Sequence, residues 1–228
     1  EAINKVGNLY MTGINEHISA HFRTLIDLKL EQAEAVVKVV SSDHDNADEL
    51  YQELAYRAGV RNFNYLALCS EDKKLEMIAG EQIQLTDPEP FYESMRQGEK
   101  KVAVGSDTSG NKIVMFGVDA DYPMKNGERC MAMVVAVPID YISTMLGTEG
   151  EDELVYSHII RADGSFIVSD MNEKYFDYFT SLYERYPNED SKKIDTYIQK
   201  LSEVMEKKES CSILMELGDS RQQVYCSS

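Results

Sequence analysis

No apolar run in this sequence approaches the roughly 20 residues that a bilayer-spanning helix needs. The longest stretches, such as Met131 to Ile139, are interrupted, here by Pro138, so nothing in these residues is expected to cross a membrane. Basic residues are scarce: 23 Lys plus Arg stand against 40 Asp plus Glu, a formal charge of -17. A polyanion would be repelled at long range rather than steered in, which argues against nucleic acid as a partner. The same sign disfavours an anionic membrane surface, and the acidity reads as solubility. Glu1 to Val6 show no basic segment followed by an apolar one, so no secretory signal is expected there; if the protein is exported, its targeting segment has been removed.

Cysteine is sparse as well. Cys69, Cys130, Cys211 and Cys226 are far apart, with no CxxC pair and no His at ligand spacing, so neither a zinc site nor any other cofactor is expected. Disulfides are allowed but not required, and Cys69 and Cys130 lie in apolar strand-like runs where a thiol behaves as a small apolar side chain. His44 and His158 have no Ser or Cys partner in a nucleophile motif. Gly105 to Gly110 is rich in glycine and hydroxyls but lacks the lysine of a phosphate loop. No enzyme active site is expected from any of these.

What is present is enough apolar residue, 43% of 228, to bury one large core or two small ones. From Ile3, the residues Val6, Tyr10, Ile14, His17 or Ile18, His21 or Phe22, Leu25, Leu28, Ala33, Val36 and Val40 recur every three or four positions. This predicts one amphipathic spine helix of about 40 residues, roughly 60 Å long. His17 and His21 fall one turn apart on it, without a third ligand, and read as packing residues. Ser41, Ser42 and Asp43 offer caps for a second helix over Ala47 to Ala58, closed by Gly59. Strands are then expected at Phe63 to Ser70 and Lys74 to Gly80 around the turn Glu71-Asp72-Lys73. A helix over Pro88 to Gln97, with Thr86 or Asp87 as cap and Gly98 as stop, follows. Lys101 to Asp107, Lys112 to Asp119 and Arg129 to Val137 read as an antiparallel meander, and Ile139 to Leu146 as a helix. Acidic Gly147 to Glu153 reads as a linker.

A second hairpin, Tyr156 to Ile160 and Ser165 to Ser169, is expected around Ala162-Asp163-Gly164. Helices over Lys174 to Tyr186 and Ser191 to Lys208 follow, then strands over Ser210 to Leu217 and Gln222 to Cys226. A final strand is expected to be missing from this second lobe.

The order of these elements resembles the double Cache, or tandem PAS-like, sensor modules of bacterial membrane receptors. Asp87-Pro-Glu-Pro-Phe-Tyr-Glu-Ser-Met-Arg-Gln-Gly98 is similar to the family's aromatic-containing helix that ends in glycine. Met133-Val-Val-Ala-Val-Pro-Ile-Asp-Tyr-Ile142 is similar to the last strand and exit helix of the distal lobe, and Ile160-Arg-Ala-Asp-Gly-Ser-Phe-Ile-Val168 to the opening hairpin of the proximal lobe. The resemblance implies an α+β fold with a spine helix over residues 1–43, a membrane-distal Cache lobe over 44–147 and an incomplete proximal lobe over 148–228. It also implies an ectodomain outside the cell membrane, in a parent carrying a histidine kinase, diguanylate cyclase or chemoreceptor domain, the first two being the expected outputs. Amino-acid-binding members carry an arginine two positions before an aromatic pair, to grip a carboxylate. Glu89 stands there, ahead of Phe91 and Tyr92, so that anchor is missing. Glu89, Asp119 and Asp121 would suit a cationic or polyhydroxylated ligand, or are solvated carboxylates. Asp119 and Asp121 lack the ligand density of a calcium loop.

In such a lobe the sheet face away from the spine meets the connecting helix, and small ligands lodge between them. Strand alternation nominates Tyr65, Tyr92, Met95, Ser106, Met115, Asp119, Met131 and Met133 to line that space, with tyrosine and serine orienting the ligand and methionine supplying an adaptable wall. The expected function is small-molecule sensing, relayed by a population shift, with homodimerisation through the N-terminal helix. The alternative is a protein-binding or structural ectodomain whose distal lobe is filled by its own side chains.

Overall fold

The computed structural model describes residues 2–43, 46–146, 158–169, 177–209, 211–218 and 220–226. The chain divides into two compact units, Thr24–Ile142 and Glu1–Arg23 with Ser143–Ser228. The expected linker Gly147 to Glu153 lies outside the described residues.

The N-terminal helix α1, Ala2–Val39, runs 38 residues without interruption, about 57 Å at 1.5 Å per residue. Within the first unit it buries Leu25, Lys29, Ala33, Val36 and Val40, a stripe with the three-and-four spacing of one helix face. Lys29 is the exception in chemistry. It is 2% exposed, donates from Nζ to the Arg61 carbonyl at 2.7 Å, and lies 4.9 Å and 4.8 Å from the ring centroids of Phe63 and Tyr141. Burial lowers its pKa, while the carbonyl and the two π faces offset part of the desolvation.

Helix α2, Ala47–Gly59, is capped by Asn46, whose side chain accepts from the Asp48 amide; Ser41, Ser42 and Asp43 do not cap it. Gly59 does not stop it either. The left-handed residue after the helix is Asn62, at φ 59°, which asparagine adopts at lower cost than most residues. Leu50, Tyr51, Leu54 and Ala58 are its buried face.

The sheet is built from β1 (Tyr65–Cys69), β2 (Leu75–Ala79), β3 (Ile83–Leu85), β4 (Lys101–Asp107), β5 (Lys112–Asp119) and β6 (Ala132–Pro138). Their order is β2-β1-β6-β5-β4-β3, and every neighbouring pair is antiparallel. Strand β3 went unexpected because three residues are too few to show alternation; its pairing with Gly105, Ser106 and Asp107 makes it a strand. All of β1 and the interior of β5 and β6 are buried, so the sheet is covered on both sides. On one side Phe63 meets Phe116 with centroids 6.2 Å apart, and the Tyr122 hydroxyl bonds the carbonyls of Val37, in α1, and of Val40, just past its end.

Helix α3, Pro88–Arg96, covers the other side with Phe91, Tyr92 and Met95. Burying each such side chain contributes on the order of 1.5–3 kcal/mol. Gly117 sets how closely α3 approaches: a Cβ there would stand 2.6 Å from both Met95 Sδ and Phe91 Cζ. Asp87 occupies the cap position without a side-chain hydrogen bond, and Gly98, at φ +68°, ends the helix. Helix α4, Ile139–Leu146, follows β6.

The second unit holds two separate strand pairs, β7 (His158–Ile160) with β8 (Phe166–Ser169) and β9 (Cys211–Leu217) with β10 (Ser220–Cys226). Between them lie α5, Tyr178–Arg185, capped by Asp177, and α6, Ser191–Lys207, capped by Asp190. Tyr178, Leu182, Ile194, Tyr197, Leu201, Met215 and Leu217 form its core. The Tyr178 and Tyr197 hydroxyls are 3.1 Å apart, so two buried polar atoms satisfy one another.

His158 packs 5.9 Å from the Tyr178 ring. Burial, with Arg185 nearby, pushes its pKa from 6.5 down to about 4. The unfolded chain therefore binds a proton that the folded chain refuses as pH falls from 6.5 to about 4, and stability declines through that window. Urea denaturation at a series of pH values is expected to show the decline, and His158→Gln to flatten it.

Candidate functional site

The face of the sheet beneath α3 collects Tyr65, Cys69, Ile83, Phe91, Tyr92, Met95, Ile113, Met115, Ala132, Val134 and Ala136. The register explains the set. Tyr65, Ala67 and Cys69 oppose Ala136, Val134 and Ala132, and Ala103 and Gly105 oppose Met115 and Ile113, so these positions share one side of the pleat.

Of the eight nominated residues, Tyr65, Tyr92, Met95 and Met115 belong to this cluster and Met131 packs against it. Asp119 is exposed at the end of β5. Two assignments are corrected. Ser106 alternates with Gly105 and Asp107, and Met133 with Ala132 and Val134, so both point to the opposite face of the sheet. Met133 is fully buried there. The sequence run is apolar throughout β6, and alternation alone does not say which of its two faces lies beneath α3.

Tyr65 is held rather than available. Its hydroxyl donates to Asp107 Oδ2 at 2.8 Å, and the same carboxylate accepts from the Asn111 amide at 2.8 Å and Asn111 Nδ2 at 2.9 Å. The Asn111 side chain, followed by Tyr65, holds the Asp107 pKa below its usual range. Burial and Asp107 push the Tyr65 phenol up to about 12.

Among the described residues, an open cleft of about 260 Å³ on this side is lined by Lys73, Leu75, Gln82, Ile83, Gln84, Leu85, Pro88 and Tyr92. Strands β2 and β3 are the outermost of the sheet, yet both contribute to it, because the sheet curls and the direct β2–β3 connection brings its edges around α3. Tyr92 is the one nominated residue in the lining. Lys73 holds a positive φ of 63° in the β1–β2 turn, and its Nζ bonds both Glu89 oxygens at 2.8 Å and 2.6 Å. It also lies 5.9 Å from the Tyr92 ring centroid. The Lys73 ammonium lowers the pKa of Glu89, so the position where an arginine was missing carries half of an ion pair. In sequence Glu71-Asp72-Lys73 reads as a polar turn; only its folding toward the first turn of α3 makes Lys73 a cleft residue.

The other acidic candidate, Asp121, is taken by Arg129, which bonds its carboxylate and donates to its carbonyl at 2.6 Å. His17 and His21 lie with ring centroids 6.1 Å apart, His17 being exposed. Among the described residues no group of three His, Cys, Asp or Glu is placed to hold a metal, and no helix is long and apolar enough to cross a membrane.

No protein-family model matches the chain, and no curated protein matches it. Solved structures do. The ligand-binding domain of the Pseudomonas aeruginosa amino acid chemoreceptor PctB, in complex with L-Gln, superposes with a TM-score of 0.62 at 10% identity, covering 94% of this chain and 81% of that one. The ligand-binding domain of the Pseudomonas fluorescens chemoreceptor CtaA with L-serine gives 0.58 at 14% identity, over 81% and 80%. That of the P. aeruginosa chemoreceptor PctC with GABA gives 0.55 at 13% identity, over 80% and 87%. The chain has the α+β fold of these chemoreceptor sensor domains, the fold that its resemblance to double Cache modules implied.

Replacing Tyr65 by Phe removes one of the donors to the Asp107 carboxylate, which also accepts from Asn111 and the Ser109 amide. The expected loss is about 1.5–3 kcal/mol, the range for hydrogen bonds to charged groups, read as a shift in urea midpoint at unchanged slope.

Proposed function

We propose that this chain is the extracytoplasmic sensing module of a membrane-anchored bacterial receptor, not an enzyme, and that it takes a small polar molecule at the cleft beside α3. The cleft carries the reading: a concave site with an apolar wall of Leu75, Ile83, Leu85 and Pro88, and a few polar groups from Lys73, Gln82, Gln84 and Tyr92, the composition of a small-ligand site. The structures that share the fold hold L-Gln, L-serine and GABA. Lys73 and Glu89 put a cation and a carboxylate side by side, the two charges that a zwitterionic amino acid needs opposite its own. The Glu89 side chain is 73% exposed, and water screens an ion pair so exposed. A ligand can therefore open it at little cost.

Binding there would bias the packing of α3 on the sheet, and the sheet is backed by α1, the continuous helix that is suited to carry the change. The relay would end in a cytoplasmic histidine kinase, diguanylate cyclase or chemoreceptor signalling domain. A second copy of the chain would pack along α1, where Leu28 and Val39 are exposed eleven positions, and hence three turns, apart on one line. Sedimentation equilibrium is expected to show a dimer that Leu28→Glu dissociates.

The site is tested by thermal denaturation against amino acids, amines, organic acids, sugars and purines. A ligand at 100 times its dissociation constant adds about 2.7 kcal/mol, a rise of roughly 5–10 °C for a chain of this size. Amino acids or GABA-like zwitterions are expected to give it, and Lys73→Ala to weaken binding at least about tenfold, the ratio that corresponds to one lost charged contact of 1.4 kcal/mol. Silence from every compound at saturating concentration would overturn the sensing reading in favour of an ectodomain that binds protein partners.

A further inference from the structure

Two cysteines of the second unit face each other across a strand pair. The antiparallel register of β9 and β10 sets Cys226 opposite Cys211, just as Val224 opposes Ile213 and Gln222 opposes Met215. Opposed residues of such a pair have Cα atoms about 4.5–5.5 Å apart with both Cβ atoms on one side of the pleat. That separation lies inside the roughly 4.4–6.8 Å window of protein disulfides. The facing is fixed by the packing: Cys226, Val224 and Ile213 all border the core of this unit. Neither thiol is sealed in, since both residues are half-buried. The two thiols share a hydrogen bond, and the Cys226 thiol is pushed up to about 12, by burial first and then by Cys211.

The other two cysteines differ on each count. Cys69 and Cys130 are buried, and each thiol donates to a backbone carbonyl, Cys69 to Ser70 at 3.6 Å and Cys130 to Ala120 at 3.4 Å. They behave as packed apolar side chains with a weak donor.

We propose that Cys211 and Cys226 are an intrachain disulfide site, closed by exchange with a disulfide donor. One cysteine thiolate attacks a donor disulfide and releases one donor thiolate, leaving a mixed disulfide. The facing cysteine, deprotonated, attacks the protein sulfur of that bond and releases the second donor thiolate. The two protein thiols give up two electrons and two protons in all, and the donor is reduced to two thiols. The bond ties β10 to β9 and restricts the unfolded chain. It would persist in an oxidising compartment, and the inference stands on the strand register, independent of whether a ligand binds near α3.

The test incubates the reduced chain with oxidised glutathione, alkylates the remaining thiols, and maps the peptides by mass spectrometry. The expected product is lighter than the reduced chain by two hydrogen atoms before alkylation, with Cys69 and Cys130 alkylated and the Cys211 and Cys226 peptides joined. Its melting midpoint should exceed that of the reduced chain by roughly 5 °C or more, from the loop-closure effect on a chain of this size. That rise should vanish when Cys211→Ser and Cys226→Ser are combined. Four alkylated cysteines after oxidation, a link through Cys69 or Cys130, or glutathione adducts that never close would each overturn the proposal. Peptide mapping of the unmutated chain decides the matter even if the double variant fails to fold.

Discussion

A sheet buried on both faces is the constraint from which the first unit follows. Strand β1 is buried at all five positions, and β6 at every position before its proline. Such strands cannot end a domain on one side; each face must meet a helix or lose the contribution of its apolar area. The long helix α1 and α2 cover one face, and α3 covers the other. Gly117 is the point where this second cover comes closest, its missing side chain admitting Phe91 and Met95.

The same constraint decides where space stays open on the α3 side of the sheet. The space between α3 and the middle of the sheet is filled by the tyrosine, phenylalanine and methionine side chains of the core itself, at the close packing typical of interiors. What remains open lies at the rim, where β2, β3 and the start of α3 converge. There the polar groups are exposed and loosely held. Tyr65, by contrast, is locked to Asp107 within the fold. Tight polar contacts thus lie inside the lobe and weak ones at its rim, the contrast on which the proposed ligand site rests.

Lys29 shows how far tertiary context overrides a residue's usual place. A lysine among the buried positions of an amphipathic helix reads as an error in the pattern. In the fold its ammonium meets a carbonyl and two aromatic faces, and its position is then as fixed as that of its apolar neighbours. The sequence offered no sign of this, because Arg61, Phe63 and Tyr141 are brought to it only by the chain's return.

Local rules determined much of this protein. Apolar periodicity wrote α1, glycine and proline bounded α3, and alternation with turn residues placed β1, β2, β4 and β5 nearly to the residue, since each depends on interactions within a few positions of the chain. Register, facing and closure were decided only by the tertiary structure. Which face of β6 carries Met133, that three residues at Ile83 pair as a strand, and that Lys73 reaches Glu89 all depend on segments distant in sequence. Hydrogen-bond pairing between strands and the curl of the sheet bring those segments together, and no spacing along the chain encodes them.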